Sequence, residues 1–395
     1  MERIKRIWNK ITPVLTDERF MLGLWVLIGV LSAVTKLSSN NNYLIFKGVF
    51  WHVWQQLPLY AEYPAEYADV NHYGPLFSLI IAPFALLPDW MGMILWNIGL
   101  ALFLYWAIRQ LNLTRYQYVF MLWFCAHELL TALFMQQFNV ATVAMIALSY
   151  AFVRKEKEWA ATLMIMIGTL VKLYGIVGLA FFFFSKHKGK YIGWFILWAA
   201  VLFCAPMLIS SPEYIIQTYQ EWFVCLTGKN SDNLFSLMQN ISLLGMIRKI
   251  GFAITGAAIW KTYSDIWVIL PGLVLFFAPY MRLSQYNQVA FQQTLLASVL
   301  MFVCLFSTGT ESSSYIIALV GVVLWFTAAP WKRSKWDIAL IIFCFLLTSM
   351  SPSDLFPRYV RQMWVQPYAL KALPVAIIWF QLTYEMLTHR YEDNL

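Results

Sequence analysis

The sequence predicts an all-α polytopic membrane protein, with about ten full transmembrane helices plus short re-entrant and interfacial helices. Residues 1–395 are expected to form a single transmembrane domain. Three observations lead there. First, the chain is 61% hydrophobic and 12% charged, against roughly 45–50% apolar and about 25% charged in a soluble domain. Second, apolar runs long enough to cross roughly 30 Å of hydrocarbon recur from end to end, and none alternates as a barrel strand would. Third, Lys and Arg gather in short clusters between those runs. The net charge of +8 therefore reads as loops held on the cytoplasmic side, with no nucleic-acid partner implied. Cys125, Cys204, Cys225, Cys304 and Cys344 are scattered without metal spacing and read as small core residues.

The elements follow in order from the basic clusters, which lie at 3–10, at Arg109 and Arg115, at 154–157, at 186–190 and at 332–335. With every cluster inside, spans at 20–37, 117–134, 191–209, 288–307 and 336–350 run outward. Those at 91–108, 139–153, 265–281, 313–331 and 369–388 return, leaving both termini cytoplasmic. The external loops are 38–73, 210–250, 308–312 and 351–370. "FKGVFWHVWQQLPLY" in the first mixes polar and apolar faces, which suits a helix lying in the interface. "SPEYIIQTYQEWFVCL" in the second opens with Ser211 as a cap and Pro212 at the first helical position.

Two apolar pieces break the alternation. Residues 76–87 are too few to cross alone. Residues 159–184 lie between two cytoplasmic clusters and carry Lys172 at their middle. They are expected to be two half-helices that enter and return, with "KLYG" (172–175) at the turn. Such backbone is tolerated at depth only where protein or a wet cavity surrounds it.

The chemistry-bearing residues collect on the external side. "YPAEYADVNHYGPLF" (63–77) sets Glu66, Asp69, His72 and Tyr73 at the lip of an apolar segment. A carboxylate there can serve as a general base, or it can simply solvate a loop. An ionised Lys172 at bilayer depth costs about 2.5–3.5 kcal/mol on insertion scales, so it calls for a cavity or a partner, and phosphate suits its point charge. "QQFN" supplies Gln137 and Asn139, "MQNISLLGMIRK" supplies Gln239 and Asn240, and "TGTESSSY" supplies Glu311. Asn42, Lys47 and Tyr174 complete the polar set on the same side. In "SPSDLFPRYVRQMW", Arg358 and Arg361 are three apart and share a helix face. They can clamp phosphate or sit among lipid headgroups. There is no GxxxxGK[ST], HExxH, CxxC or GxSxG pattern.

The order of these pieces is familiar. A first span and an external "LY…Y.P.F…APFALLP" loop are followed by "Q.N", "VKLYG" and "QN.SL.G..RK". From about residue 20 to 388 the chain resembles glycosyltransferase family 87, polytopic GT-C type enzymes that use polyprenyl-phosphate sugars. Members include bacterial mannosyltransferases of phosphatidylinositol mannoside synthesis. "YPAEYADVNHYGPLFSLIIAPFALLP" and "SPSDLFPRYVR" look most like Bacteroidetes-type members. The resemblance implies an inverting, metal-independent transfer to a glycan or glycolipid acceptor at the outer face of the bacterial cytoplasmic membrane. The donor sugar is then a substrate, and no cofactor is implied. The family often carries an Asp near the end of the first span. "NNYLIF" has Asn42 there, and a neutral amide cannot be the base. The base is therefore expected at Asp69 or Glu66, with Lys172, Arg358 and Arg361 on the donor phosphate. A transporter or flippase of lipid-linked sugars, or a non-catalytic partner in glycan assembly, would also use an intramembrane lysine and a wet cavity.

Overall fold

The long apolar runs fold as helices, and at several of them the sequence supplies the start or stop signal. A computed structural model describes residues 12–392, and the basic cluster at 3–10 lies outside them. Among the described residues there are helices and no strands. α1 (Glu18–Val34) begins at Asp17, whose carboxylate accepts the Arg19 and Phe20 N–H groups. α2 (Asn41–Gln55) ends at Gln56 in the left-handed region. α3 (Phe77–Ala85) and α4 (Asp89–Gln110) follow. α5 (Arg115–Phe134) opens with a reciprocal capping box between Thr114 and Gln117. Then come α6 (Asn139–Arg154), α7 (Glu158–Lys172), a 3₁₀ arm (Tyr174–Phe184), α8 (Lys188–Cys204) and α9 (Pro212–Asn233). α9 is capped by Ser211, which accepts the Tyr214 N–H. The remaining helices used below are α10 (Leu243–Thr255), α11 (Ile266–Phe277), α12 (Val289–Leu305), α13 (Tyr315–Ala328), α14 (Lys335–Cys344) and α15 (Leu373–Thr388).

α6, α12 and α13 are buried on nearly every face and form the centre of the bundle. α8 is the opposite case. Its Ile192, Trp194, Ile196, Leu197 and Val201 side chains are exposed, an arrangement that hydrocarbon tolerates and water does not. Among the described residues, three helical segments are long and apolar enough to cross a membrane: Asp89–Gln110, Arg115–Phe134 and Lys188–Leu208. The expectation of about ten full crossings therefore needs adjusting. The runs at 139–153, 265–281, 288–307 and 313–331 are present as apolar helices of 10–17 residues. Within the expected bounds, Pro279 turns the end of α11 into a 3₁₀ turn, and α14 passes into a π-helix at Phe345–Met350.

The run at 159–184 is a hairpin. The chain reverses at Leu173, whose φ of 58° is left-handed. The ends of the two arms return together, since the Ser185 hydroxyl donates to Glu158 Oε1 at 3.1 Å. Close approach of the arms needs two glycines. A Cβ on Gly175 would sit 2.5 Å from the Gly168 carbonyl carbon, and one on Gly168 would sit 2.9 Å from the Gly175 Cα. Both arms pack on α6, so the hairpin tip is placed by one of the central, buried helices of the bundle.

Candidate active site

The loop 57–76 lies on that tip. Gly74 donates its N–H to the Val171 carbonyl at 3.0 Å. A Cβ there would fall 2.1 Å from the Leu170 carbonyl oxygen and 3.0 Å from the Trp222 ring, so the contact needs glycine. Below it, Tyr73, Phe46, Phe77, Trp96 and Phe138 form an aromatic cluster with ring centroids 4.8–6.2 Å apart. Such pairs add about 0.5–1.5 kcal/mol each beyond area burial. Above it lies α9, where Trp222 Nε1 donates to the His72 carbonyl at 2.9 Å. Asn41 clamps the loop from the other side, exchanging two hydrogen bonds with the Ala68 backbone.

Lys172 sits at the hairpin tip, half-buried. Its Nζ donates to Asn139 Oδ1 at 2.8 Å and lies 5.5 Å and 5.7 Å from the Tyr73 and Tyr174 ring centroids. Among the described residues no carboxylate lies within ion-pair distance of it, although Glu311 is near enough to act on it electrostatically. The surroundings are interlocked. The Tyr73 hydroxyl donates to Gln137 Oε1 at 2.8 Å, and the Tyr174 hydroxyl meets Ser307 Oγ at 2.9 Å. Asn139 Nδ2 reaches the Ser313 and Ser314 hydroxyls. Glu311 accepts from Gln239 Nε2 at 2.9 Å and from Ser313 Oγ at 3.2 Å. Thus Tyr73, Gln137, Asn139, Tyr174, Gln239 and Glu311 converge around Lys172. Asn240 borders them, pairing its N–H with the Thr308 carbonyl.

Asp69 and His72 face a neighbouring cavity of about 590 Å³, lined also by Glu62, Tyr63, Lys229 and Asp232. Asp69 has a φ of 82°, a conformation that Asp tolerates better than most residues. Its Oδ1 lies 3.9 Å from Lys229 Nζ and 4.0 Å from His72 Nε2. The His72 imidazole pKa is pushed down to about 4, chiefly by burial and then by the Lys229 cation, with Asp69 and Glu311 pulling the other way and Lys172 adding to the fall. His72 is therefore neutral near pH 7. It stands within electrostatic reach of both the Asp69 cavity and the Lys172 cluster. Glu66 is placed differently. Its carboxylate is 3.1 Å from His52 Nε2, and it is not among the residues lining the cavity.

Other expected residues are spent elsewhere. Lys47 pairs with Asp89 at 2.5 Å, and Asn42 donates to the Met135 carbonyl. Arg361 turns back on its own loop, donating to the Pro352 and Ser353 carbonyls and lying 3.4 Å from Asp354. Arg358 is exposed. None of the hydrogen bonds or ion pairs among the described residues links either arginine to the Lys172 cluster. A shared helix face set their relative direction and said nothing of where that face would point. Three residues escaped the sequence reading. Lys229 reaches Asp69 only because α9 lies over the loop. Glu128 and Lys371 form a fully buried pair at 2.8 Å, and Lys371 Nζ also holds the Ser312 carbonyl and hydroxyl beside Glu311. The cost of a charge at depth, which flagged Lys172, applies equally to Glu128 inside its apolar run. Among the described residues, no group of three His, Cys, Asp or Glu side chains is placed to hold a metal ion.

The sequence model of glycosyltransferase family 87 matches residues 71–308, more than half of the chain. The matched stretch holds His72, Tyr73, Asn139, Lys172 and all of α9, and stops three residues before Glu311. A search of curated proteins finds no match. The chain belongs to glycosyltransferase family 87.

Proposed function

We propose that this family 87 glycosyltransferase moves a monosaccharide from a polyprenyl-phosphate donor to a hydroxyl of a glycan or glycolipid acceptor, at the external face of the bacterial cytoplasmic membrane. The observation that carries the reading is Lys172, an ammonium held at a buried hairpin tip by one neutral amide oxygen and two tyrosine rings. A cation without an ion-paired carboxylate in such a place is prepared for an anion, and a phosphate on a lipid tail can reach it from the hydrocarbon side.

In this mechanism Asp69 accepts the proton as the acceptor oxygen attacks the anomeric carbon. The bond from that carbon to the phosphate oxygen breaks, and its electron pair leaves with the polyprenyl phosphate. Lys172 offsets the charge that grows on the departing phosphate. Attack opposite the leaving group inverts the anomeric centre, and no metal enters the scheme. Asp69 is preferred to Glu66 because it lines the cavity beside His72 while Glu66 is engaged by His52. Arg358 and Arg361 have no place in this donor site. Both termini are cytoplasmic in this orientation, with the loops at 38–73, 210–250 and 308–312 forming the outer active face.

The test is transfer by purified protein in detergent, given a pool of polyprenyl-phosphate sugars and candidate acceptors. Product formed without two compartments separates transfer from the transport of lipid-linked sugars. Asp69→Asn keeps shape and removes basicity, and should lower turnover by about 10²–10⁴ with donor binding intact. Wild-type turnover in both Asp69→Asn and Glu66→Gln would move the base elsewhere, with Glu311 next.

A further inference from the structure

The cavity beside His72 is acidic, whereas at the Lys172 cluster the ammonium and Glu311 offset one another. The cluster presents an ammonium with no ion-paired carboxylate among the described residues. The cavity is lined by the acids Glu62, Asp69 and Asp232 and by one lysine, Lys229. Three carboxylates less one ammonium leave a charge of −2. That ammonium already faces Asp69 at 3.9 Å. His72 adds nothing at neutral pH, because burial and the Lys229 cation hold its pKa at about 4. At about 590 Å³ the cavity falls in the size range of sites that enclose small ligands. Tyr63 gives it an aromatic wall, and the carboxylates supply hydrogen-bond acceptors without donors of their own.

We infer that this cavity receives the acceptor, and that the accepting residue is a saccharide with no phosphate or carboxylate of its own. This inference rests on the transferase reading above. Hydroxyls donate to carboxylates and the apolar face of a sugar ring covers tyrosine. A phosphorylated or uronic residue would instead enter against two uncompensated negative charges. The enzyme thereby sorts its two substrates by charge, the anionic donor to Lys172 and the uncharged acceptor to the acids. The anionic donor cannot enter the acidic cavity without repulsion.

Cys225 gives a built-in reporter, since it lines the cavity with its Sγ 3.3 Å from His72 Nδ1. In a Cys204→Ser background, which removes the exposed thiol outside the cavity, a neutral thiol reagent is applied to the protein in nanodiscs. Neutral oligosaccharides and their uronic-acid counterparts are then added as protectants. Neutral saccharides should slow Cys225 modification at concentrations at least tenfold below the uronic ones. Glu62→Gln with Asp232→Asn should narrow that gap. Equal or better protection by the uronic saccharides, or no protection by either, overturns the inference. Transfer measured on the same preparation separates the two readings. Transfer to anionic acceptors alone sinks the inference and leaves the transferase reading standing. Selective protection without transfer from any donor does the reverse.

Discussion

Lys371 and Lys172 lie deep in this protein and are satisfied in opposite ways, while a third deep lysine, Lys249, donates to the Ser236, Gln239 and Asn240 carbonyls. Lys371 is 3% exposed, against a Glu128 carboxylate at 0%, with Nζ to Oε1 of 2.8 Å and two further bonds to Ser312. Its charge is cancelled inside the fold. Lys172 has a neutral amide and two aromatic rings, and its nearest acid, Glu311, is occupied by Gln239 and Ser313. A folded chain that needs a buried cation only for its own stability can pair it, as this one does at Lys371. Leaving Lys172 without a carboxylate partner costs solvation energy that a ligand's charge can return. The first lysine is architecture; the second is the proposed donor site.

The largest expected effect falls on the architectural lysine. Lys371→Met strands Glu128 as a buried charge, and breaking such a pair typically costs about 3–5 kcal/mol. Thermal denaturation of the purified variant should show a large fall in midpoint. Lys371→Met combined with Glu128→Leu should recover most of it, because no uncompensated charge then remains. A single variant as stable as the parent would mean that the pair is not what holds α15 to α5.

Lys172→Met should behave in the opposite manner. No carboxylate is orphaned and only the Asn139 Oδ1 acceptor loses its donor, so the midpoint should fall less than in Lys371→Met. Turnover should fall by about 10²–10³, the typical cost of removing one donor from a developing charge. If Lys172→Met instead unfolds the protein while turnover per folded molecule persists, the contrast between the two lysines collapses.

The sequence showed one of these lysines and hid the other for a physical reason. Lys172 stands alone in the middle of an apolar run between two basic clusters, so both its cost and the hairpin around it follow from local counting. Lys371 sits beside a loop where a lysine is cheap, and its partner Glu128 lies 243 residues away. Periodicity does not report that distance. The helices themselves were legible from their apolar runs, several of which bring their own caps. Their internal geometry was less so, since Pro279 turns the end of α11 into a 3₁₀ turn and α14 passes into π-helical turns. The Asp69 cavity was half legible. The acids were visible in "YPAEYADVNHYGPLF", but Lys229 and Cys225 arrive from α9, whose position over the loop is a tertiary fact.

A smaller effect should come from the junction that places the loop against Lys172. Gly74→Ala would put a methyl 2.1 Å from the Leu170 carbonyl oxygen. Relief requires the loop to shift, at a typical overpacking cost of about 1–3 kcal/mol. Tyr73 and His72 would move with it. Turnover should drop further than stability predicts, measured as rate per folded molecule against the denaturation midpoint. A loss of stability with unchanged rate per folded molecule would show that the junction supports the fold and not the site.

The smallest effect is also the most direct comparison of the two lysines, because it makes Lys172 resemble Lys371. Asn139→Asp replaces the amide oxygen 2.8 Å from Lys172 Nζ with a carboxylate of the same shape. The lost amide donor served the Ser313 and Ser314 hydroxyls. The Ser314 hydroxyl can rotate to donate to the new carboxylate while Ser313 keeps its bond to Glu311, so the packing should survive. The ammonium would then be cancelled within the fold, and a phosphate would have to compete with the introduced carboxylate for it. Affinity for polyprenyl phosphate should weaken about tenfold, equivalent to roughly 1.4 kcal/mol, with stability unchanged or slightly raised. The readout is equilibrium binding of polyprenyl phosphate to parent and variant in the same nanodiscs. Unchanged affinity would mean that the donor phosphate does not use Lys172. A collapse in stability would mean that the amide's donation to Ser313 and Ser314, more than its neutrality, is what position 139 supplies.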